Sequence, residues 1–322
     1  MNNTIEKALL RQQEVERAQR EAAAANPAKP DFDENGRRIR RSVSQQPDKP
    51  PQYTEKHFDI DLEALQKKGF VSTNSERSHI NEEYREIKRK LLANAFGALS
   101  STLNNSNIIM VTSARPSEGK TFTAVNLAMS IATEQDKRVL LVDADVLKPN
   151  TLRTLGLKER SGLMEYLLGD VYEIGEVMFR TNVNKLRIIP AGRSHHLSTE
   201  LLASEAMNNL INEFSTRYPD RIVIIDTPPL IGINESAVLA NFAGQAVVVV
   251  EEGRSKMSDI QKAVERLNPD MAIGFVVNKS VNTSDTNGYY GYSYYGADRE
   301  EEDTAQQSSV EADVEKKSSQ DN

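Results

Sequence analysis

Apolar residues in the central part of the chain fall into six short runs separated by amphipathic segments. Each run is nearly continuous in Val, Ile, Leu and Met, a pattern typical of strands that are buried on both faces. The runs span 107–112, 138–143, 186–189, 222–226, 245–250 and 272–277. Apolar residues at helical spacing occur between them, near 120–134, 161–168, 199–217, 234–242 and 256–267. This alternation predicts an α/β fold with a doubly wound, mostly parallel sheet covered by helices on both faces.

The two ends of the chain lack this pattern. Residues 1–55 combine a marginally helical stretch with a proline-containing linker, so we expect a disordered N-terminal tail. We expect one folded domain over 56–286, with an amphipathic helix near 78–96. A Gly/Tyr-rich segment follows at 287–296, and an acidic, disordered tail at 297–322.

Composition excludes several classes of site. The 322 residues include no cysteine, which rules out disulfides, thiolate nucleophiles and cysteine-bound zinc, and is compatible with a reducing cytoplasm. No apolar stretch approaches the roughly 20 residues of a membrane span. The net charge is −7, but 297–322 holds nine Asp and Glu against three Lys and Arg, so the rest is nearly neutral. A nearly neutral core disfavours nucleic acid as a partner.

Thr112–Thr121 has the features of a phosphate-binding loop. It joins an apolar strand to a helix and ends in Gly119, Lys120 and Thr121, so the helix N-terminus can hold an anion. Lys120 would reach the β and γ phosphates of a nucleotide, and the Thr121 hydroxyl would ligate Mg²⁺. Because Ala114 occupies the first glycine position, an ordinary strand-to-helix turn is the alternative.

Three aspartates follow two of the predicted strands. Asp143 and Asp145 end the strand that begins near 138, and Asp226 ends the one that begins near 222. An isolated Asp after a strand is often a turn former or a helix cap. Three aspartates beside one phosphate loop are better explained as ligands of Mg²⁺. One of them could also accept a proton from an attacking hydroxyl.

The segment Gly288–Gly296 holds five of the ten tyrosines of the chain. The tyrosines alternate with glycines, a pattern that does not fit a core strand and favours exposed phenol groups. The alternative is a low-complexity segment or an aromatic contact surface.

Over about 75–296 the chain resembles the bacterial tyrosine kinases, which have a deviant P-loop ATPase fold that division-site-positioning and partitioning ATPases share. Residues 112–121 are similar to the Walker A motif of that family, which tolerates a first position other than glycine. Val139–Asp145 resembles its Walker A′ motif and Ile222–Asp226 its Walker B motif. Shorter phrases are also similar, at Pro190–Gly192, Glu200–Leu202 and Asp226–Pro229.

The resemblance implies an ATP- and Mg²⁺-dependent protein-tyrosine autokinase. It implies catalytic roles for Lys120, Asp143, Asp145 and Asp226, and metal contacts for Thr121, Asp145 and Asp226. Nucleotide contacts are implied for Ser117, Glu118, Gly119, Lys120, Thr121 and Phe122, and for Asn278 at the adenine. The implied substrates are tyrosines of another copy of the chain, namely Tyr289, Tyr290, Tyr292, Tyr294 and Tyr295.

The resemblance also implies partners. Glu82, Arg85 and Lys88 resemble the oligomerisation motif Glu-x-x-Arg-x-x-Arg, with Lys in place of the second Arg, and we expect them to share a helix face in a ring of identical subunits. A membrane activator of the chain-length-determinant type, a tyrosine phosphatase and substrates of polysaccharide biosynthesis are further implied. The chain is most similar to the stand-alone autokinases of exosortase-associated exopolysaccharide systems. This implies a cytoplasmic protein held at the inner face of the plasma membrane by its partner.

Two positions depart from the family pattern. Leu147 stands where an Arg usually follows the Walker A′ aspartates. Arg115 occupies a loop position that is usually small in these kinases, so it either supplies charge at the transition state or is a solvent-exposed loop residue. The main alternative for the whole chain is a nucleotide switch like the positioning ATPases ParA and MinD, and a further one is a scaffold that binds ATP without turnover.

Overall fold

The computed structural model describes residues 57–72, 78–218 and 220–280. The N-terminal tail, the tyrosine segment and the acidic tail therefore lie outside the described residues. Within the described part, the strands are β1 (His57–Phe58), β2 (Ile108–Ser113), β3 (Arg138–Asp143), β4 (Phe179–Thr181), β5 (Leu186–Ile189), β6 (Arg221–Asp226), β7 (Gln245–Glu251) and β8 (Ala272–Asn278). The α-helices are α1 (Leu62–Lys67), α2 (His79–Phe96), α3 (Lys120–Ala132), α4 (Thr151–Thr154), α5 (Leu163–Leu167), α6 (Ser198–Leu202), α7 (Glu205–Thr216), α8 (Asn234–Ala240) and α9 (Met257–Val264). Single 3₁₀ turns lie at Ala98–Thr102 and Ile174–Val177.

The strands form one eight-stranded sheet in the order β1-β4-β5-β3-β6-β2-β7-β8. Every neighbouring pair is parallel except β4 and β5, which are antiparallel. The prediction of a doubly wound, mostly parallel sheet is confirmed. All six strands predicted from apolar runs are present, and β1 and β4 are additional.

Alternate residues of the central strands pack against two separate helical layers. On β2, Ile108 and Met110 face the layer built from α5 to α9, whereas Ile109 and Val111 face the layer built from α1 to α4. Both layers are apolar, so the central strands are buried on both sides. This explains why their sequences are continuous rather than alternating.

Hydrogen bonds at helix starts fix several boundaries. Ser78 caps α2, since its hydroxyl accepts from the amide of Asn81. The segment predicted as one helix over 199–217 is two helices, because Ser204 accepts from the amide of Met207 and starts α7 after a break. No helix among the residues described is both long enough and apolar enough to cross a membrane.

Candidate active site

The phosphate loop connects the carboxyl end of β2 to the start of α3 and is held by its own hydrogen bonds. The Ser113 hydroxyl donates to the carbonyl of Arg115 over 2.7 Å, and the amide of Arg115 donates to Glu118 Oε2 over 2.7 Å. The other oxygen of Glu118 accepts from the hydroxyl of Ser255. Glu118 is buried, so its carboxylate shapes the loop. The nucleotide contact at Glu118 stays a prediction, and the backbone amide of Glu118 is the candidate group for it.

Gly119 lies where the backbone must turn into α3. Its φ is +100°, a conformation that disfavours residues with a side chain. A Cβ atom built at this position would lie 1.9 Å from Nδ2 of Asn278. That amide instead donates to the carbonyl of Glu118 over 3.0 Å, and Lys279 Nζ donates to the carbonyl of Ser117 over 2.8 Å. The end of β8 therefore supports the loop directly.

The three predicted aspartates converge beside this loop. Asp143 and Asp226 are directly opposite each other in the parallel ladder of β3 and β6. Lys120 Nζ, at the start of α3, lies 2.5 Å from Asp145 Oδ2. Both side chains are largely buried, being 11% and 5% exposed. The structure thus brings Lys120 and the three carboxylates into one buried cluster, as the sequence predicted.

The cluster carries an excess of negative charge. Burial raises the pKa of Asp143 to about 7, with further contributions from Asp226 and Asp145. Burial also raises the pKa of Asp226 to about 6, although the charge of Lys120 opposes this. Burial alone would lower the pKa of Lys120, but the charges of Asp226 and Asp145 outweigh it and raise the pKa. Three carboxylates around one ammonium group form an environment that favours an additional cation.

The two oxygens of Asp226 differ in their hydrogen bonding. Its Oδ2 atom accepts from the Thr151 hydroxyl over 3.3 Å, but its Oδ1 atom is buried and accepts no hydrogen bond. A buried carboxylate oxygen is costly to leave unpaired. The Thr121 hydroxyl is close enough to the Asp226 carboxylate to lower its pKa. These donors fit Mg²⁺, which usually takes one or two carboxylates and completes its shell with phosphates and water.

Protein side chains do not complete a metal site without a nucleotide. Within the described ranges, no group of three or more His, Cys, Asp and Glu side chains is arranged to hold a metal ion. The remaining ligands would have to come from the Thr121 hydroxyl, the nucleotide and water. This arrangement is typical of magnesium bound together with a nucleotide.

Thr151 is a site residue that sequence reasoning missed. Its hydroxyl bonds to Asp226, and its amide donates to Asp143 Oδ2 over 3.1 Å. It therefore links the ends of β3 and β6. No motif marks it, and the available signal is its place in the first turn after the Asp143–Asp145 segment.

Phe122 does not offer its side chain to a ligand. Its ring packs against Phe70, with ring centroids 4.7 Å apart, on the helical layer formed by α1 to α4. Only the backbone amide of Phe122 is left as a candidate phosphate contact. The predicted adenine contact of Asn278 stays a prediction, because in the structure its amide contacts the loop.

Arg115 makes a specific intramolecular contact. Its guanidinium group forms two hydrogen bonds to Asp259 at the start of α9, of 2.6 and 3.1 Å. The pair holds the pKa of Asp259 below its usual value. Arg115 is nevertheless 58% exposed, so it joins the loop to α9 while one face remains open to solvent.

The structure places the three residues predicted for oligomerisation on two different sides of α2, and their role in an interface stays a prediction. Glu82 and Arg85 pair with each other on the surface of α2, where Arg85 Nη1 lies 2.6 Å from Glu82 Oε1. Lys88 is buried instead, and its Nζ lies 2.6 Å from Glu134 Oε1 at the end of α3. Lys88 therefore does not share the exposed face of Glu82 and Arg85. The five tyrosines of the 289–295 cluster lie outside the described residues.

Comparison with known proteins identifies the family. A family model described as an AAA domain matches residues 106–273. Tyrosine-protein kinase YwqD of Bacillus subtilis is 31% identical over 224 residues, which are 69% of this chain and 90% of YwqD. The chain belongs to the bacterial tyrosine kinases.

Other bacterial tyrosine kinases are similar to this chain in sequence or in structure. Tyrosine-protein kinase wzc of Salmonella typhimurium is 33% identical over 190 residues, which are 59% of this chain but only 26% of wzc. The chain thus spans about a quarter of the length of that relative. The kinase domain of Escherichia coli tyrosine kinase ETK superposes with a TM-score of 0.57 at 25% identity, covering 74% of this chain and 94% of the ETK domain. The solved kinase domain therefore has the same fold as the described part of this chain.

Proposed function

We propose that the chain is an ATP- and Mg²⁺-dependent protein-tyrosine kinase that phosphorylates its own tyrosine cluster in trans. The observation that carries the proposal is the buried cluster of Lys120, Asp143, Asp145 and Asp226 beside the loop, with one oxygen of Asp226 unpaired. Membership of the bacterial tyrosine kinases supports protein tyrosine as the acceptor.

Each residue of the cluster has a distinct role in this proposal. Lys120 leaves Asp145 and binds the β and γ phosphates, where its charge stabilises the transition state. Mg²⁺, held by Thr121 and Asp226, would neutralise the charge that develops on the phosphates. Once Lys120 has moved, Asp145 is free to contact the metal shell or to accept the proton of the attacking tyrosine hydroxyl.

Asp143 acts as a positioning residue. Its Oδ1 atom accepts from the amide of Asp145 over 3.1 Å, and its Oδ2 atom accepts from the amides of Asn150 and Thr151 over 3.3 and 3.1 Å. With both oxygens occupied, Asp143 fixes the segment that carries Asp145. The backbone amides from Ser117 to Phe122 hold the phosphates, and Asn278 lies next to the loop to receive the base.

The acceptors in this proposal are Tyr289, Tyr290, Tyr292, Tyr294 and Tyr295. Each added phosphate carries roughly −1.5 to −2 charges, next to an acidic tail, so repulsion would open an assembly of subunits. We propose that the assembly is a ring, activated by a membrane chain-length-determinant protein and reversed by a tyrosine phosphatase. The pathway that it would regulate is exopolysaccharide synthesis and export, from the cytoplasmic face of the membrane.

Incubation with γ-labelled ATP and mapping of the label by mass spectrometry tests the proposal. The full chain should be labelled on the clustered tyrosines, and Lys120→Met should abolish the labelling. Mixing Lys120→Met with a chain whose five clustered tyrosines are Phe tests transfer in trans, because label should then appear on the Lys120→Met chain.

The alternative functions give different results in the same assay. A nucleotide switch like ParA and MinD would release phosphate at an unchanged rate after all five tyrosines are replaced by Phe. A scaffold would bind ATP with neither labelling nor phosphate release. Absence of label on tyrosine, even with the cytoplasmic segment of the activator present, would refute the kinase proposal.

A further inference from the structure

A cavity lies at the end of the sheet opposite the phosphate loop. Its volume is about 880 Å³, within the range of roughly 300–1,000 Å³ that small-molecule sites occupy. The starts of β3, β5 and β6 line it, together with the loops that precede them. β3 runs from Arg138 in this cavity to Asp143 at the active site, a span of roughly 17 Å at 3.3 Å per residue. The cavity is therefore separate from the nucleotide site.

Basic side chains dominate the wall of this cavity. Six of the lining residues are Lys or Arg, whereas two are Asp, namely Asp136 and Asp220. The basic residues are Lys137, Arg138, Arg180, Lys185, Arg187 and Arg221. The Lys, Arg and Asp side chains of the lining thus sum to a net charge of about +4. Charge of one sign in a concave surface attracts ligands of the opposite sign.

Among the residues that line the cavity, Arg221 has a buried nitrogen without a hydrogen-bond partner. The residue is only 3% exposed, and its Nη1 atom is buried without a hydrogen-bond partner. Its guanidinium group lies 3.8 Å from the ring centroid of Tyr218, so an aromatic face covers one side. Burial lowers the pKa of Arg221, and the charge of Arg187 lowers it further. An anion in the cavity would relieve this repulsion between like charges.

Neighbouring contacts hold both lysines of the lining without neutralising their charge. Lys185 Nζ donates to the carbonyls of Glu134 and Gln135 over 2.6 and 2.8 Å. Lys137 Nζ lies 3.7 Å from the ring centroid of Phe96. These contacts fix the ammonium groups in place and leave their charge uncompensated. The wall is therefore preorganised for an anionic ligand.

We propose that this cavity binds a small molecule that carries two phosphate groups. Two phosphates, each with a charge of roughly −1.5 to −2, match the net charge of the lining. Arginine forks suit phosphate oxygens because they donate paired hydrogen bonds. The site is distinct from the one where the kinase would bind ATP, and its existence does not depend on kinase activity.

Calorimetric titration with inorganic pyrophosphate tests the proposal. The full chain carrying Lys120→Met is used in EDTA, so that the phosphate loop contributes little to binding. We expect saturable binding of one pyrophosphate per chain. Arg138→Gln should weaken it roughly tenfold, because a hydrogen bond to a charged group is lost, and Arg187→Gln should weaken it similarly.

The matched control is Arg193→Gln. Arg193 is 58% exposed, Arg138 is 60% exposed, and each pairs with one aspartate, but Arg193 does not line the cavity. Both substitutions remove one surface charge, so both variants should remain folded, and only the cavity variant should lose affinity. Absence of saturable binding, or equal affinity of the two variants, would overturn the proposal. Tighter binding of a peptide with the sequence of residues 298–303 than of pyrophosphate would assign the cavity to carboxylates and overturn the phosphate assignment.

Discussion

Replacing Lys88 with Met tests whether this lysine stabilises the domain from within. Lys88 Nζ contacts the Glu134 carboxylate at 2.6 Å and donates to the carbonyl of Ser130 at 3.1 Å, in the last turn of α3. A cation at the C-terminus of a helix also interacts favourably with the helix dipole. Methionine keeps the apolar stem of the side chain, so the substitution removes mainly the ammonium group.

The expected loss follows from these contacts. Hydrogen bonds to charged groups contribute about 1.5–3 kcal/mol, and the helix-terminus interaction adds about 0.3–1 kcal/mol. Glu134 is 38% exposed and can be hydrated after the change, which limits the cost. We expect Lys88→Met to lower the free energy of unfolding by about 2–3 kcal/mol, measured by urea denaturation followed by circular dichroism.

Arg85→Met is the matched control. It also removes one positive charge from α2, but its pair with Glu82 is on the surface and is expected to contribute only about 0.3–0.5 kcal/mol. The unfolding midpoint of Lys88→Met should not depend on protein concentration beyond the dependence of the unmodified chain. Equal losses in the two variants, or a loss that disappears at high protein concentration, would refute an intramolecular role and favour a subunit interface.

Three further predictions concern the active site. Gly119→Ala should weaken binding of a fluorescent ADP analogue, because its methyl group would displace the side-chain amide of Asn278 from the carbonyl of Glu118. Gly253→Ala, at φ +70° with open space around it, should leave binding unchanged. Arg115→Ala should slow tyrosine labelling if the charge of Arg115 acts at the transition state. An unchanged labelling rate would show that Arg115 has only a structural role, through its ion pair with Asp259. The pKa of Asp143 is raised from 3.8 to about 7 in the folded protein, so its contribution to stability is present at low pH and is lost as the pH rises from about 4 to 7. In EDTA, the melting temperature of Asp143→Asn should therefore fall less over this range than that of the unmodified chain, and parallel curves would contradict the assignment.

The sequence predicts the central sheet well because buried parallel strands carry a strong apolar signal. The short strands β1 and β4 contain two and three residues, too few for any periodicity to be visible. The break between α6 and α7 depends on a single capping hydroxyl at Ser204. A capping hydrogen bond of this kind does not change the apolar pattern of the surrounding residues, so the pattern alone does not reveal the break.

The expectation that Lys88 shares a face of α2 with Glu82 and Arg85 was wrong for a geometric reason. At 100° per residue, Lys88 lies 120° around the helix from Glu82. It therefore lies on the side of Tyr84, Leu91 and Ala95, the other buried residues of this helix. Spacing alone did not reveal that an acceptor at the end of α3 makes burial of this lysine favourable.

The convergence of the three aspartates was predictable because parallel strands place their carboxyl ends at one edge of the sheet. The unpaired oxygen of Asp226 and the contacts of Thr151 depend on side-chain placement. The hydrogen bond between the Arg115 amide and Glu118, and the pair of Arg115 with Asp259, also depend on side-chain placement. These details therefore required the structure.

The attachment of Lys279 to the phosphate loop sets a length limit on the segment that follows. Lys279 is held at the carbonyl of Ser117, and Tyr289 is ten residues further along the chain. Ten residues extend at most about 36 Å. The first clustered tyrosine therefore lies no more than about 36 Å from Lys279. The loop of a second copy within that distance is also within reach of this tyrosine, so the proposed transfer between copies would depend on the orientation of the two copies rather than on the length of the segment.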